Sequence, residues 1–158
     1  GHSDREEILG KTLRPLIEKY KFDIVFIDNQ PSLSLLPLNA LTCADYVIVP
    51  CSTEYAAYRG LTLIQSTIEK VKEHYNPNLK MFGVIASRHK TRNLHNKEIL
   101  ELLQENFNVV GVVCDSTTVP DSLYHPSRAV VCSAPTSKPA LAYKQIAKSI
   151  HEQIMNDR

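Results

Sequence analysis

Apolar residues recur along this chain with two different periods, and their alternation predicts the fold. From Asp4 to Tyr20, the positions Ile8, Leu9, Leu13, Leu16 and Ile17 follow one another at three and four residues, which marks one face of an amphipathic helix. Pro15 is expected to kink or interrupt that helix, because it removes a backbone donor and crowds the preceding turn. The next run, Asp23-Ile24-Val25-Phe26-Ile27-Asp28, is short, β-branched and aromatic. It is too continuous for a half-exposed strand and predicts a buried parallel one. Asn29-Gln30-Pro31-Ser32 breaks the run and offers Ser32 as N-cap of a helix through Leu33, Leu36, Ala40 and Leu41.

The same two periods continue. Strands are predicted at 46–50, 81–86 and 109–113. Helices are predicted through Leu61, Ile64, Ile68 and Val71 to His74, at 96–106, and at 140–155. Strands alternating with helices of about ten or more residues imply right-handed crossovers. The expected class is therefore α/β: a three-layer, mostly parallel sheet flanked by helices. The polar stretch 115–139 is long for a connection, and long connections in such sheets often carry function.

Composition narrows the function classes. With 158 residues and 43% hydrophobic content, one core is expected. Eighteen basic and 17 acidic side chains leave a formal net charge of +1, so attraction to nucleic acid has to come from a local patch. Cys43, Cys51, Cys114 and Cys132 are scattered without C-x-x-C pairing, which reads as apolar filling rather than a zinc site. No apolar run approaches the ~20 residues that span a bilayer and no secretory signal opens the chain, so a soluble cytoplasmic protein without membrane contact is expected. Gly1-His2-Ser3, with no initiator Met, reads as the scar of a cleaved expression tag at 1–3; 4–158 is then a single domain cut from a longer protein.

In open parallel sheets, ligands bind beyond the carboxyl ends of the strands. The residues to inspect are thus 28–31, 51–55, 87–92 and 115–120. Asp28, an acidic residue closing a buried strand, has the arrangement by which nucleotide hydrolases hold magnesium, usually through its waters. Its plainer reading is a strand-end cap. Arg88-His89-Lys90-Thr91-Arg92, with Lys97 nearby, is a candidate for DNA phosphates, and Arg128 and Lys138 are further cations; a solvated loop is the simpler account. Cys51 follows a predicted strand, but a phosphate-cradling thiolate wants an arginine six positions on, where Ala57 stands. Gly10-Lys11-Thr12 is no phosphate loop, because it falls inside a helical pattern whose N–H groups are already used.

The segment from Tyr20 to Leu33 resembles the Walker B strand and switch II of the ParA/MinD partition ATPase family. Asn39-Ala40-Leu41, Ala44-Asp45, Val47 to Pro50, Glu54-Tyr55 and Gly60-Leu61 continue the likeness in order and spacing. Asn93-Leu94, Val119-Pro120, Ser137, Ala142-Tyr143 and Ile146-Ala147-Lys148 extend it over nearly the whole chain. The resemblance implies a P-loop NTPase-like fold that is incomplete here, because the family's Walker A loop has no counterpart in these residues.

It further implies that Asp28 contacts a magnesium-bound water, that Gln30 and Pro31 belong to the γ-phosphate switch, and that Pro120 lies beside adenine. Arg88, Lys90, Arg92, Lys97 and Arg128 become the DNA-facing candidates. ATP and magnesium are the implied cofactors of the parent, with neither held tightly by this chain. Non-specific DNA, a DNA-bound ParB-like adaptor and a second copy in a homodimer are the implied partners, and partitioning of plasmid or chromosome the implied task. Gln30 replaces a usual proline, His89 occupies the place of a common Asp, and the loop 121–135 is shorter than usual. These departures favour one alternative, a degenerate ParA-like binding module without ATPase activity; a MinD-like positioning ATPase is the other, and the last residues, Met155-Asn156-Asp157-Arg158, make a poor membrane anchor.

Overall fold

The structure is a computed structural model that describes residues 5–30 and 34–157. Its sheet has three parallel strands in the order β1-β2-β3: β1 Tyr46–Ser52, β2 Lys80–His89 and β3 Val109–Cys114. The helices are α1 Ile8–Tyr20, α2 Leu35–Cys43, α3 Tyr55–His74, α4 Leu94–Asn106, α5 Thr118–Asp121, α6 Val130–Ser133 and α7 Lys138–Asn156. A tight 3₁₀ turn, Ser122–Tyr124, joins α5 to the loop before α6. The α/β class and the parallel sheet flanked by helices match the expectation from the periodicities.

The chain divides into two compact units. The first comprises Gly1–Val47 and Leu63–Met81. Its core is Ile68, Val71 and Leu79, with Leu38, Leu41, Ala44, Val47, Ile64 and Met81 packed around them. Gly10 lets α1 approach α2 closely, since a Cβ there would stand 2.9 Å from the Cβ of Cys43. Asn39 of α2 ties down the start of α1: its side-chain amide donates to the Arg5 carbonyl (2.7 Å), and its oxygen accepts from the Leu9 N–H (3.3 Å). At the other end of α2, the Asn76 side chain donates to the carbonyls of Leu41 (3.0 Å) and Ala44 (2.8 Å), which would otherwise lack helical partners. Helix α1 runs unbroken through Pro15, which is exposed.

The second unit comprises Ile48–Thr62 and Phe82–Arg158. Phe82, Val84 and Ala86 alternate into its core with Val113, Ile99, Leu103, Ala140, Ile146 and Ile150. Helix α7 lies against β3, and Gly111 has no room for a side chain because Ile146 fills that space. Asn93 caps α4 by accepting from the Asn96 N–H (3.2 Å), and Ser137 caps α7 by accepting from the Ala140 N–H (3.4 Å).

Two expectations are corrected. The run Asp23 to Asp28 is not a buried strand: residues 24–30 belong to neither helix nor sheet, and Phe26 is 79% exposed. β-propensity describes a fit to a pleated surface, and among the described residues the sheet offers this run no ladder to join. The sheet of the described residues accordingly has three strands where four were expected. The helix expected from an N-cap at Ser32 begins at Leu35; Pro31, Ser32 and Leu33 lie outside the described residues.

Candidate functional site

Three loops leave the carboxyl ends of the strands, and in the second unit a chain of buried polar groups joins them. Thr53, just after β1, is fully buried, and His89 at the end of β2 (7% exposed) and Asn96 in the first turn of α4 (5%) are buried as well. The Asn96 side-chain amide donates to the Thr53 carbonyl at 2.6 Å, and its oxygen accepts from the Lys90 N–H at 3.3 Å. The Thr53 hydroxyl lies 3.3 Å from Nδ1 of His89. The Thr53 N–H donates to Ser87 O (3.3 Å), and the Asp115 N–H to His89 O (3.0 Å), which brings the start of the loop after β3 into the same assembly. Buried polar groups of this kind are costly unless paired, so the set holds the three loop starts in one arrangement.

A bulge explains how a histidine comes to lie in this interior. Residues 82, 84 and 86 of β2 are buried, and strict alternation would bury Arg88 next. Instead the register with β3 slips between Ala86 and His89, and Arg88 takes a left-handed conformation (φ 51°). The extra residue re-aims the strand, so that Arg88 turns to solvent and His89 turns in. Arg88 Nε then stands 4.0 Å from Oδ1 of Asp115, with both side chains substantially exposed. A pair in that setting contributes little to stability.

The predicted candidates are distributed as follows. Lys90, Arg92 and Lys97 are exposed around the start of α4, close in sequence to the exposed Arg88. Arg128 is exposed in the loop after the 3₁₀ turn, left-handed at φ 50°, with its N–H on His125 O (2.8 Å). Pro120 is exposed within α5. Asp28 and Gln30 are exposed and belong to the first unit, and Pro31 lies outside the described residues. His89, read from sequence as part of a solvated basic loop, is instead a buried strand residue.

Thr53 and Asn96 were not singled out by sequence reasoning at all. Asn93 and Asn96, three apart at a helix start, carried a capping signal. Nothing in Ser52-Thr53-Glu54 marked Thr53 as interior.

Cys51, in β1, is buried, and burial pushes its thiol up from the ordinary range. A thiol held neutral is a poor nucleophile, in keeping with the missing arginine. Among the described residues no cluster of His, Cys, Asp and Glu could hold a metal ion. Gly10-Lys11-Thr12 sits in α1, where the Thr12 hydroxyl donates to Ile8 O (2.9 Å) and the Lys11 N–H to Glu7 O (3.1 Å). Backbone donors spent in this way cannot cradle a phosphate.

Comparison with known proteins agrees with this architecture. A family model described as an AAA domain matches residues 1–81. The chromosome-partitioning ATPase Soj of Thermus thermophilus is 31% identical over 147 residues, covering 90% of this chain and 58% of that protein. The chromosome partitioning protein ParA of Myxococcus xanthus is 45% identical over 89 residues, 56% of this chain and 31% of that protein. Among solved structures, a cobyrinic acid a,c-diamide synthase from Mycobacterium smegmatis with bound ADP and magnesium superposes with a TM-score of 0.75 at 28% identity, covering 99% of this chain and 57% of its own. The chain spans about half the length of the curated relatives it matches over most of its residues.

Asn96→Ala leaves the buried Thr53 carbonyl and the Lys90 N–H without their partner. The expected loss is about 1–3 kcal/mol of unfolding free energy, read as a lower urea midpoint at unchanged slope. An unchanged midpoint would remove Asn96 from the assembly.

Proposed function

Since the chain belongs to the AAA-domain family of ParA/MinD-type partition ATPases, we propose that it supplies the C-terminal portion of a ParA-type ATPase whose phosphate loop is carried on other residues. The observation that carries this reading is the parallel sheet whose carboxyl-edge loops are fixed together beside exposed cations. That edge is where ligands bind in such sheets. The relatives named above partition chromosomes, and one structural neighbour binds ADP with magnesium.

The described residues do not by themselves fit a triphosphate with magnesium. Asp28 is exposed in an irregular segment, and the only glycine-lysine-threonine sequence is helical. In the parent, Asp28 would face a magnesium-bound water, Gln30 and Pro31 the γ-phosphate, and Pro120 the adenine. Nucleotide would then draw two copies together, and a ParB-like adaptor would engage them in the cytoplasm. Among the described residues no helix is long and apolar enough to cross a membrane. The buried His89 favours the second reading, a ParA-like binding module that has lost catalysis, to the extent that it replaces a residue facing ligand.

Arg88, Lys90, Arg92, Lys97 and Arg128 would meet DNA phosphates. All five side chains are exposed, and Arg88 and Lys90 flank the residue that the bulge buries. Their contribution is electrostatic and indifferent to sequence.

Titration of magnesium-ATP into this chain by calorimetry is expected to give no binding tighter than about 1 mM. Micromolar affinity would overturn the assignment of the phosphate grip to other residues. Random-sequence duplex DNA is expected to bind in low salt. The double variant Lys90→Glu, Arg92→Glu should weaken binding to all sequences alike and lower the salt slope by roughly two. An unaltered slope would exclude these cations from the interface.

A further inference from the structure

Leu94 opens α4 and is 71% exposed, although the same helix buries Asn96, Ile99 and Leu103 on its inner face. Its neighbours in sequence are cations: Lys90, Arg92 and Lys97 are exposed, and Arg88 precedes them. The chain between Lys90 and Leu94 is held as one tight turn. The Asn93 N–H donates to Lys90 O (3.0 Å), the Lys90 N–H donates to the Asn96 side-chain oxygen (3.3 Å), and the Asn93 side chain accepts from the Asn96 N–H (3.2 Å). Helical side chains lean toward the N-terminus, so Leu94 leans toward this turn rather than along α4. A large apolar side chain thus stands out of a fixed basic turn.

We propose that Leu94 is a wedge that enters a base step of duplex DNA from the minor groove and kinks it, a role that rests on the reading of the surrounding cations as a DNA contact. Minor-groove proteins insert leucine and similar side chains between base pairs in this way, and the contacts that the kink allows offset the cost of unstacking. Leucine has no aromatic face on which single-stranded bases stack, which favours the duplex as occupant. Acidic residues set the orientation. Glu98, Glu101 and Glu105 are exposed and continue the helical row that Leu94 begins. They repel a duplex lying along α4 and confine the contact to its first turn. Pyrimidine–purine steps unstack most readily, so a wedge prefers a TA step to an A-tract without reading any base edge. Cations alone give no such preference.

Duplexes of about 20 bp, labelled at both ends with a fluorophore pair and carrying a central TA step or an A-tract, test it when titrated with the chain in low salt. Energy transfer should rise on binding, and the TA duplex should bind roughly tenfold more tightly than the A-tract. Leu94→Ala, at an exposed position, should keep its circular dichroism and the salt slope of the unaltered chain, yet lose both the rise in energy transfer and the preference for TA. Leu94→Phe, which supplies a larger wedge, should keep both. Binding with the full salt slope but no rise in energy transfer, or a rise that survives Leu94→Ala, would overturn the wedge and leave the cations as a DNA contact. Absence of binding to either duplex would overturn both.

Discussion

The carboxyl edge of this sheet depends on one fully buried threonine and the asparagine that reaches it. Asn96 donates to the carbonyl of Thr53 at 2.6 Å, and through its oxygen it also holds the Lys90 N–H. Thr53 in turn bonds to β2 through Ser87 and faces His89. Each group would be expensive to bury alone, and together they leave little freedom to the loops after β1 and β2. The first residue beyond β3, Asp115, joins through the carbonyl of His89. The exposed cations near the start of α4 thus project from a rigid base, the condition under which a surface patch can recognise a regular array of phosphates.

Much of this architecture was legible in the sequence, because it rests on local periodicity. The runs that became β1, β2, β3, α3, α4 and α7 lie where the two periods placed strands and helices. Two features were illegible, for physical reasons. The segment after α1 has every local property of a strand, but strand formation is settled by the neighbour that completes a ladder, and single-sequence spacing does not record neighbours. The inward turn of His89 follows from a bulge at Arg88, and no composition signal distinguishes a left-handed arginine in a strand from one in a loop. The stretch 115–139 looked irregular and contains α5, α6 and a 3₁₀ turn. Elements this short arise from single bonds, such as the Ser122 hydroxyl to Val119 O at 2.6 Å, rather than from a repeating pattern.

The candidate site was legible only in its placement. Family likeness and the rule for parallel sheets both pointed to the loops after the strands, and the cations found there are exposed. Which residues hold that edge together was not readable, because the Asn96 side chain binds the backbone carbonyl of Thr53 and the backbone N–H of Lys90, groups that any residue type would present. The residues tied most closely to nucleotide by resemblance, Asp28 and Gln30, sit in the segment that joins no sheet. The loop starts at the carboxyl edge are bonded to one another within this chain, whereas the segment that carries Asp28 and Gln30 joins no sheet among the described residues.

Hydrogen exchange at the backbone amides of Thr53, Lys90 and Asp115, followed by NMR on the isotopically labelled chain, tests that self-sufficiency most directly. Their acceptors are Ser87 O, the Asn96 side-chain oxygen and His89 O. The account predicts that all three exchange at least about a hundredfold more slowly than unstructured peptide, as parts of one cooperative unit. Unprotected exchange at Lys90 and Asp115, with Thr53 alone slow, would contradict it.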